Sequence, residues 1–272
     1  MPAALGQVEF SRPINFNANF VNYNAAFAGL EEQKALNIQY QSYPAPREVF
    51  KTLFLNGYSK VNDKINGGFS IVSDIQSGYS SLTGVYLLGN YQLFETSIST
   101  FQVGGTIGVV NYQLLPTPYT PGVSKWVLNL DYGMMYRHKN HLFGASLQNL
   151  INPKIQIITS LFQLPLQVGA SYRYTWKANP SFELQPTGVI LYNEKEKLIY
   201  AGLIEMVAYD QFVMTVGAVA PSTGLILGVG LKNLLIKDAF PCGIYFTYSE
   251  NVSKYRSSLT GKYEILFKIY LN

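Results

Sequence analysis

The feature that most limits what this chain can become is a two-residue alternation kept up over long runs. In LQVGASYRYTW, Leu166, Val168, Ala170, Tyr172, Tyr174 and Trp176 alternate with Gln167, Gly169, Ser171, Arg173 and Thr175. In LNLDYGMMYR, Leu128, Leu130, Tyr132, Met134 and Tyr136 stand against Asn129, Asp131, Gly133, Met135 and Arg137. The last run sets Tyr263, Ile265, Phe267, Ile269 and Leu271 against Glu264, Leu266, Lys268, Tyr270 and Asn272. A period of two places successive side chains on opposite faces of a strand, so each run has one apolar and one polar face. Runs of this kind begin near Leu36, Phe50, Ile65, Tyr79, Ile98, Trp126, Leu142, Leu164, Phe182, Leu198, Phe212, Gly224, Cys242 and Leu259. They predict about fourteen strands.

Several runs reach about ten residues, the length of a tilted membrane crossing, whereas strands of soluble sandwiches average about five or six. The connectors VNDK, FETS, HKNH, KANPS and YDQ are tight and polar, while YPAPREV, QLLPTPYTPGVSK, INPKIQIITSLFQ and SENVSKYRSS are longer. The two kinds fall on opposite ends of the strands, as in outer-membrane barrels. Charged residues make up only 13% of the chain, about half the share in soluble domains, and no apolar run approaches the length of a membrane helix. A closed sheet satisfies its own backbone in hydrocarbon, which a sandwich or solenoid with open edges does not. The expected fold is all-β: a transmembrane antiparallel β-barrel with an N-terminal plug or periplasmic segment at residues 1–32 and the barrel at 33–272. Tyr40, Tyr91, Tyr112, Tyr136, Tyr174, Trp176 and Tyr192, near strand ends, are expected in interfacial girdles.

Candidate chemistry is sparse. The two histidines, His138 and His141, share one turn without a cysteine or carboxylate, so neither a metal site nor a positioned hydrolytic triad is expected. Asp131, Glu183 and Glu264 are expected inward, as are Arg137, Arg173 and Lys268, neutralising one another across a polar lumen. Glu205 breaks the pattern of its strand and is a candidate lumen contact. The glycines of GGTIGVV (Gly104, Gly105, Gly108) and LGVGLKN (Gly228, Gly230) open no helix and precede no Lys-Ser/Thr, so they read as strand glycines and no cofactor is implied. Cys242 is the single thiol, and the scattered basic residues form no run that would hold nucleic acid. The pattern points away from an enzyme. MPAALGQ looks like the small-residue end of a removed export signal, with the mature chain expected to begin near Gln7.

One stretch keeps no such alternation: NFNANFVNYNAAFAG, Asn15 to Gly29, ahead of the first strand. Its second half resembles the N-terminal signature of the PorP/SprF family of type IX secretion system outer-membrane proteins, through Asn19, Asn24, Ala26, Phe27, Ala28 and Gly29, with Ala25 where the family usually has proline. GGFSIVSDIQSG resembles the family motif that ends the third strand, carried by Gly68 and Asp74. DYGMMYRHKNHLFGASLQNLINP resembles the midsection through Gly133, Tyr136, Gly144, Ser146, Asn149, Leu150 and Pro153. The closing hairpin is similar through Tyr245, Tyr248, Ser257, Ser258, Gly261 and Glu264, with Tyr263 where the family has histidine.

The resemblance implies a non-enzymatic barrel in the bacterial outer membrane, taking part in export or surface anchoring of cargo such as adhesins and associated with gliding motility. Its implied partners are type IX secretion components, the C-terminal signal domain of secreted cargo, and outer-membrane lipid. The other function open at this level is a channel for small or hydrophobic solutes. For the Asn-rich stretch, the expectation is a lumenal or periplasmic segment whose amides bond polar groups of the wall.

Overall fold

The computed structural model describes residues 14–30, 32–42, 51–76, 80–116, 122–151, 153–157, 160–193, 197–220, 224–236, 240–251 and 261–271. The expected chain start near Gln7, and Ser257 and Ser258, lie outside the described residues. Two 3-10 turns, Phe20–Asn22 and Ala25–Phe27, precede the strands β1 (Lys34–Ser42), β2 (Lys51–Lys60), β3 (Ile65–Gln76), β4 (Ser80–Glu95), β5 (Ser99–Leu114), β6 (Val123–His138), β7 (His141–Gln148), β8 (Lys154–Ile157) and β9 (Ser160–Gln163). There follow β10 (Gln167–Tyr174), β11 (Trp176–Asn179), β12 (Phe182–Asn193), β13 (Lys197–Ala208), β14 (Phe212–Ala220), β15 (Gly224–Ile236), β16 (Phe240–Asn251) and β17 (Lys262–Tyr270).

Every wall strand is antiparallel to its neighbours. The order runs from β10 through β7 and down to β1, across to β17 and on to β12, and pairing of β10 with β12 closes the ring into a barrel of 14 strands. β11 continues β10 along the same edge of β12, and β8–β9 is a separate hairpin within the β7–β10 connector. Strand starts read from the sequence lie close to those observed, the widest offsets being Trp126 against Val123, Leu164 against Gln167 and Leu259 against Lys262. The tight connectors at 61–64, 96–98, 139–140, 180–181 and 209–211 share one end of the barrel, and the long ones at 43–50, 115–122, 149–166 and 252–261 join strands at the other.

Local sequence explains the irregular points. Pro186 has no N–H to offer a ladder, and it lies in β12 opposite the break between β10 and β11: Arg173 pairs with Thr187 and Trp176 with Leu184. At the β13–β14 turn, Tyr209 and Asp210 both adopt φ of 54°, and Gln211 N–H donates to Ala208 O at 3.1 Å. β6 pairs with β5 along its whole length but with β7 only from Tyr132 to His138. Beyond that point the connector folds inward, and its Leu164 is buried against Leu82, Tyr86, Val110 and Tyr112.

Burial is inverted relative to a soluble domain. Leu53, Leu87, Ile107, Leu128, Ile190, Met214, Leu227 and Val229 are exposed on the outer face, while Gln39, Asn56, Asp74 and Asn129 are buried inside. Only lipid makes that distribution favourable. Of the expected girdle residues, Tyr91, Tyr136, Trp176 and Tyr192 face outward, but Tyr112 is turned into the lumen and buried, because its register in β5 follows Val110 rather than Val109.

Val229 stands on the outer face between Met214 of β14 and Phe246 of β16. Val229→Arg is expected to destabilise the folded barrel by about 2–4 kcal/mol, the range for a charge near the bilayer midplane. Denaturant titration in lipid vesicles checks this.

Candidate functional site

The lumen is occupied by residues 14–30, which descend from the long-loop end to the short-turn end. At the top, the Glu264 carboxylate accepts the N–H of Ile14 (2.6 Å), the N–H of Asn15 (3.1 Å) and the Nε2 of Gln41 (2.5 Å). Gln41 and Glu264 are register partners across the β1–β17 seam. At the bottom, Gly29 turns with φ of +79° against the Asn66 side chain, where any Cβ would lie 2.5 Å from Asn66 Cγ. Below it, Lys268 Nζ meets Glu32 Oε1 at 2.9 Å, and Tyr58 donates its hydroxyl to the same carboxylate.

Of the five asparagines of the segment, Asn15, Asn19, Asn22 and Asn24 use their donor-and-acceptor amides in hydrogen bonds, while the amide of Asn17 is buried with no hydrogen-bond partner among the described residues. Asn15 Oδ1 accepts the N–H of Ala18 at 3.2 Å. Asn19 and Asn22 both donate to Gln39 Oε1, and Asn56 of β2 donates to Asn22 Oδ1. Asn24 caps the second 3-10 turn through Oδ1 to Ala26 N–H (2.9 Å), while its Nδ2 reaches the main-chain carbonyls of Met134 (3.0 Å) and Ala145 (2.9 Å). The wall answers with amides of its own: Asn90 Nδ2 donates to Ala25 O and Ala28 O, and Gln148 Nε2 to Tyr23 O.

Approach this close requires a wall without side chains. Gly104 of β5 and Gly133 of β6 face each other in register. A Cβ on Gly133 would fall 2.0 Å from Asn24 Oδ1, one on Gly104 2.8 Å from Ala26 N, and one on Gly144 2.7 Å from the Phe27 ring. Ala26 and Ala28 are fully buried for the same reason. On the other side the wall is apolar, and Phe16, Phe20 and Phe27 pack on Met135, Leu142, Val189, Leu191, Leu203 and Ile226. Phe20 and Phe27 stack with centroids 4.8 Å apart, and the Arg173 guanidinium lies 5.4 Å from the Phe20 centroid.

The charged residues named from the sequence face the lumen or its rim. Asp131 accepts from Thr106 Oγ1 (2.7 Å), Asn149 N–H (2.8 Å) and Asn129 Nδ2 (3.4 Å). Glu183 pairs with Lys177 at 3.6 Å near the short turns. Arg137 donates to Thr100 Oγ1 at 3.0 Å, and Lys268 is held by Glu32. Asp131 and Arg137 are thus held by neutral groups, while Glu183 and Lys268 each meet an opposite charge close by. Asp74 is fully buried and accepts from Thr52 Oγ1 at 2.8 Å. Gly68 lets β2 and β3 meet, Gly261 leads into β17 with φ of +84°, and Glu205 is buried on the inner face of β13.

His138 Nδ1 lies 2.7 Å from Ser99 Oγ, and His141 Nδ1 lies 2.9 Å from the Tyr172 hydroxyl. Both rings stack in an aromatic belt with Tyr136, Phe143 and Tyr174 on the outer surface at the short-turn end. Gln39, Asn90 and Gln148, which the sequence does not single out, are gripping amides, and Asn66 donates to Asn90 from behind. Their signal is an amide at an inward position of an alternating strand.

Between the segment and the inner faces of β2–β7 lies a cavity of about 120 Å³, bounded by Asn22, Tyr86, Thr106, Asn129, Asp131 and Leu164. Such an arrangement defines a class: an outer-membrane-type barrel with its lumen plugged from within by its own N-terminal region. Within that class, the chain belongs to the family of type IX secretion system membrane proteins PorP/SprF, whose model matches residues 12–269. Family and fold are those of a secretion or transport barrel rather than of an enzyme class. The chain is similar in fold to the toluene transporter TodX of Pseudomonas putida, with TM-score 0.54 and 10% identity over 97% of this chain and 94% of that one. The monoaromatic hydrocarbon channel CymD gives 0.54 at 11% identity over 90% and 89% of the two chains. A Pseudomonas aeruginosa FadL homologue gives 0.52 at 9% identity over 90% and 91%. At these identities the likeness is one of fold alone. No curated protein matches the chain in sequence.

Two substitutions test how the segment is held. Gly133→Val adds atoms where Asn24 sits and leaves the outer face untouched, so amides of residues 20–28 are expected to exchange at least about tenfold faster, equivalent to about 1.4 kcal/mol of local stability. Glu264→Gln removes the charge that holds the top of the segment and is expected to weaken Ile14 and Asn15 protection by about 2 kcal/mol, the scale of a charge-assisted hydrogen bond. Hydrogen exchange read by mass spectrometry checks both.

Proposed function

We propose that this chain works as a non-enzymatic, partner-binding barrel of the type IX secretion route in the bacterial outer membrane, taking part in export or surface anchoring of cargo such as adhesins. The observation that carries the reading is the filled lumen. A segment held by Glu264 at one end, by the glycine cradle in the middle and by Asn90 toward the other fills the lumen with protein. Family membership supplies the secretion route, and the gliding-motility association and the cargo's C-terminal signal domain as ligand belong to the same proposal. So does removal of an export signal before the mature chain.

In this reading residues 1–32 form the lumenal segment and 33–272 the barrel. Asn19, Asn24, Ala26, Phe27, Gly29 and Gly133 seat the one in the other, Gly68 brings β2 and β3 together, and Gly261, Asp74 and Glu264 hold the long-loop end. Asp131, Arg137, Arg173 and Glu183 supply the polar lining.

The test is to isolate a tagged barrel from native outer membranes in mild detergent and identify what accompanies it by mass spectrometry, with conductance of the purified barrel measured in a planar bilayer. Recovery of type IX components or of a large surface protein, together with low conductance, is the expected result. A barrel recovered alone that conducts in steps overturns the reading in favour of a solute channel.

A further inference from the structure

The cavity beside the segment has a chemical bias that neither secretion nor plugging uses. Among its lining residues there is one carboxylate, Asp131, and no lysine, arginine or histidine. A carboxylate offers about four lone-pair sites, and three donors reach Asp131, from Thr106, Asn149 and Asn129. Beside it, Asn129 is 1% exposed, and its Oδ1 has no hydrogen-bond partner among the described residues. Its Nδ2 is committed to Asn149 Oδ1 at 2.9 Å as well as to Asp131, which fixes the orphaned oxygen on the acceptor side. Negative charge and a spare carboxylate position thus meet in one space, with the unused amide oxygen of Asn129 buried beside it. Phe54, Val72 and Leu88 supply an apolar wall to that space, beside the amides of Asn22 and Gln148.

From this geometry we propose that the cavity is a binding site for a primary ammonium group on a short alkyl chain. An ammonium brings three donors and no acceptor, which suits a site whose free positions are acceptors, and the apolar wall takes the carbons. A free amine and the lysine side chain of a partner share this chemistry. A neutral alcohol of the same length forfeits the charge, and an anion is repelled.

The test uses the full chain purified in detergent, with n-butylammonium as probe and n-butanol and butyrate as controls, read by isothermal titration calorimetry. Saturable binding of n-butylammonium is expected, at least about tenfold tighter than n-butanol, with none for butyrate. Asp131→Asn is expected to lower that affinity at least tenfold, with folding confirmed by heat-modifiable migration. Ser70→Phe, which fills the cavity without touching the carboxylate, is expected to do the same and guards against a folding defect at Asp131. Nα-acetyl-lysine amide separates the sources: binding of both amines points to a protein side chain, and binding of n-butylammonium alone to a free solute. Equal binding of alcohol and amine, unchanged affinity in folded Asp131→Asn, or no saturable binding to the folded wild-type barrel overturns the proposal, the last being the outcome for a cavity that holds only water.

Discussion

The register that joins β1 to β17, from Ala35 opposite Tyr270 to Ser42 opposite Tyr263, is the contact on which everything else depends. In hydrocarbon an open sheet edge leaves main-chain groups without partners at several kcal/mol each, so a chain of this pattern has no stable half-closed form. The same seam also holds the lumenal segment. Gln39 comes from its first strand, Glu264 and Lys268 from its last, and these three bind the segment or the residues just after it, with Gln41 donating to Glu264. Closing the wall and seating the top of the segment are thereby coupled, because Gln41 and Glu264 are brought together only when the ring is complete.

The inner wall is divided into two arcs, and the segment's composition mirrors the division. The amides that bond the segment's asparagines from β1 and β2, and its main chain from β4, lie on one side. The aliphatic side chains that meet its phenylalanines come from β6, β7, β12, β13 and β15, with Asn24 reaching main-chain carbonyls of β6 and β7. Asparagine and aromatic residues interleave in NFNANFVNYNAAF because a narrow, irregular strand of chain must offer one kind of group to each side. Neither a regular helix nor a regular strand would keep that allotment while leaving room for two 3-10 turns.

Much of the wall was legible in the sequence because lipid enforces a strict period of two, and a strict period shows in a single chain. The inward placement of Asp131, Arg137 and Glu264 follows from counting alternate residues in their strands. What the pattern does not show is which inward residues meet. Tyr112 read as a girdle residue because it stands near a strand end, yet end position says nothing about face. Partner choice is hidden for a related reason: strand register, set by turns elsewhere, puts neutral donors beside Asp131 but Lys177 beside Glu183. The segment was the least legible part, since its partners, such as Met134 and Ala145 for Asn24, lie more than a hundred positions away and two of its contacts are to main-chain carbonyls.

The path of the segment also has a mechanical side. Its covalent tie to the wall is at Gly29, at the short-turn end, whereas its most strongly charged attachment is at Glu264, at the opposite end. A load applied to the wall at the short turns is therefore transmitted along the segment toward its far anchorage. Freed of that anchorage, residues 14–29 remain on a leash that spans up to about 55 Å when drawn out at ~3.4 Å per residue. The stopper and its chain are one piece, so the barrel can be unblocked without losing the part that blocks it.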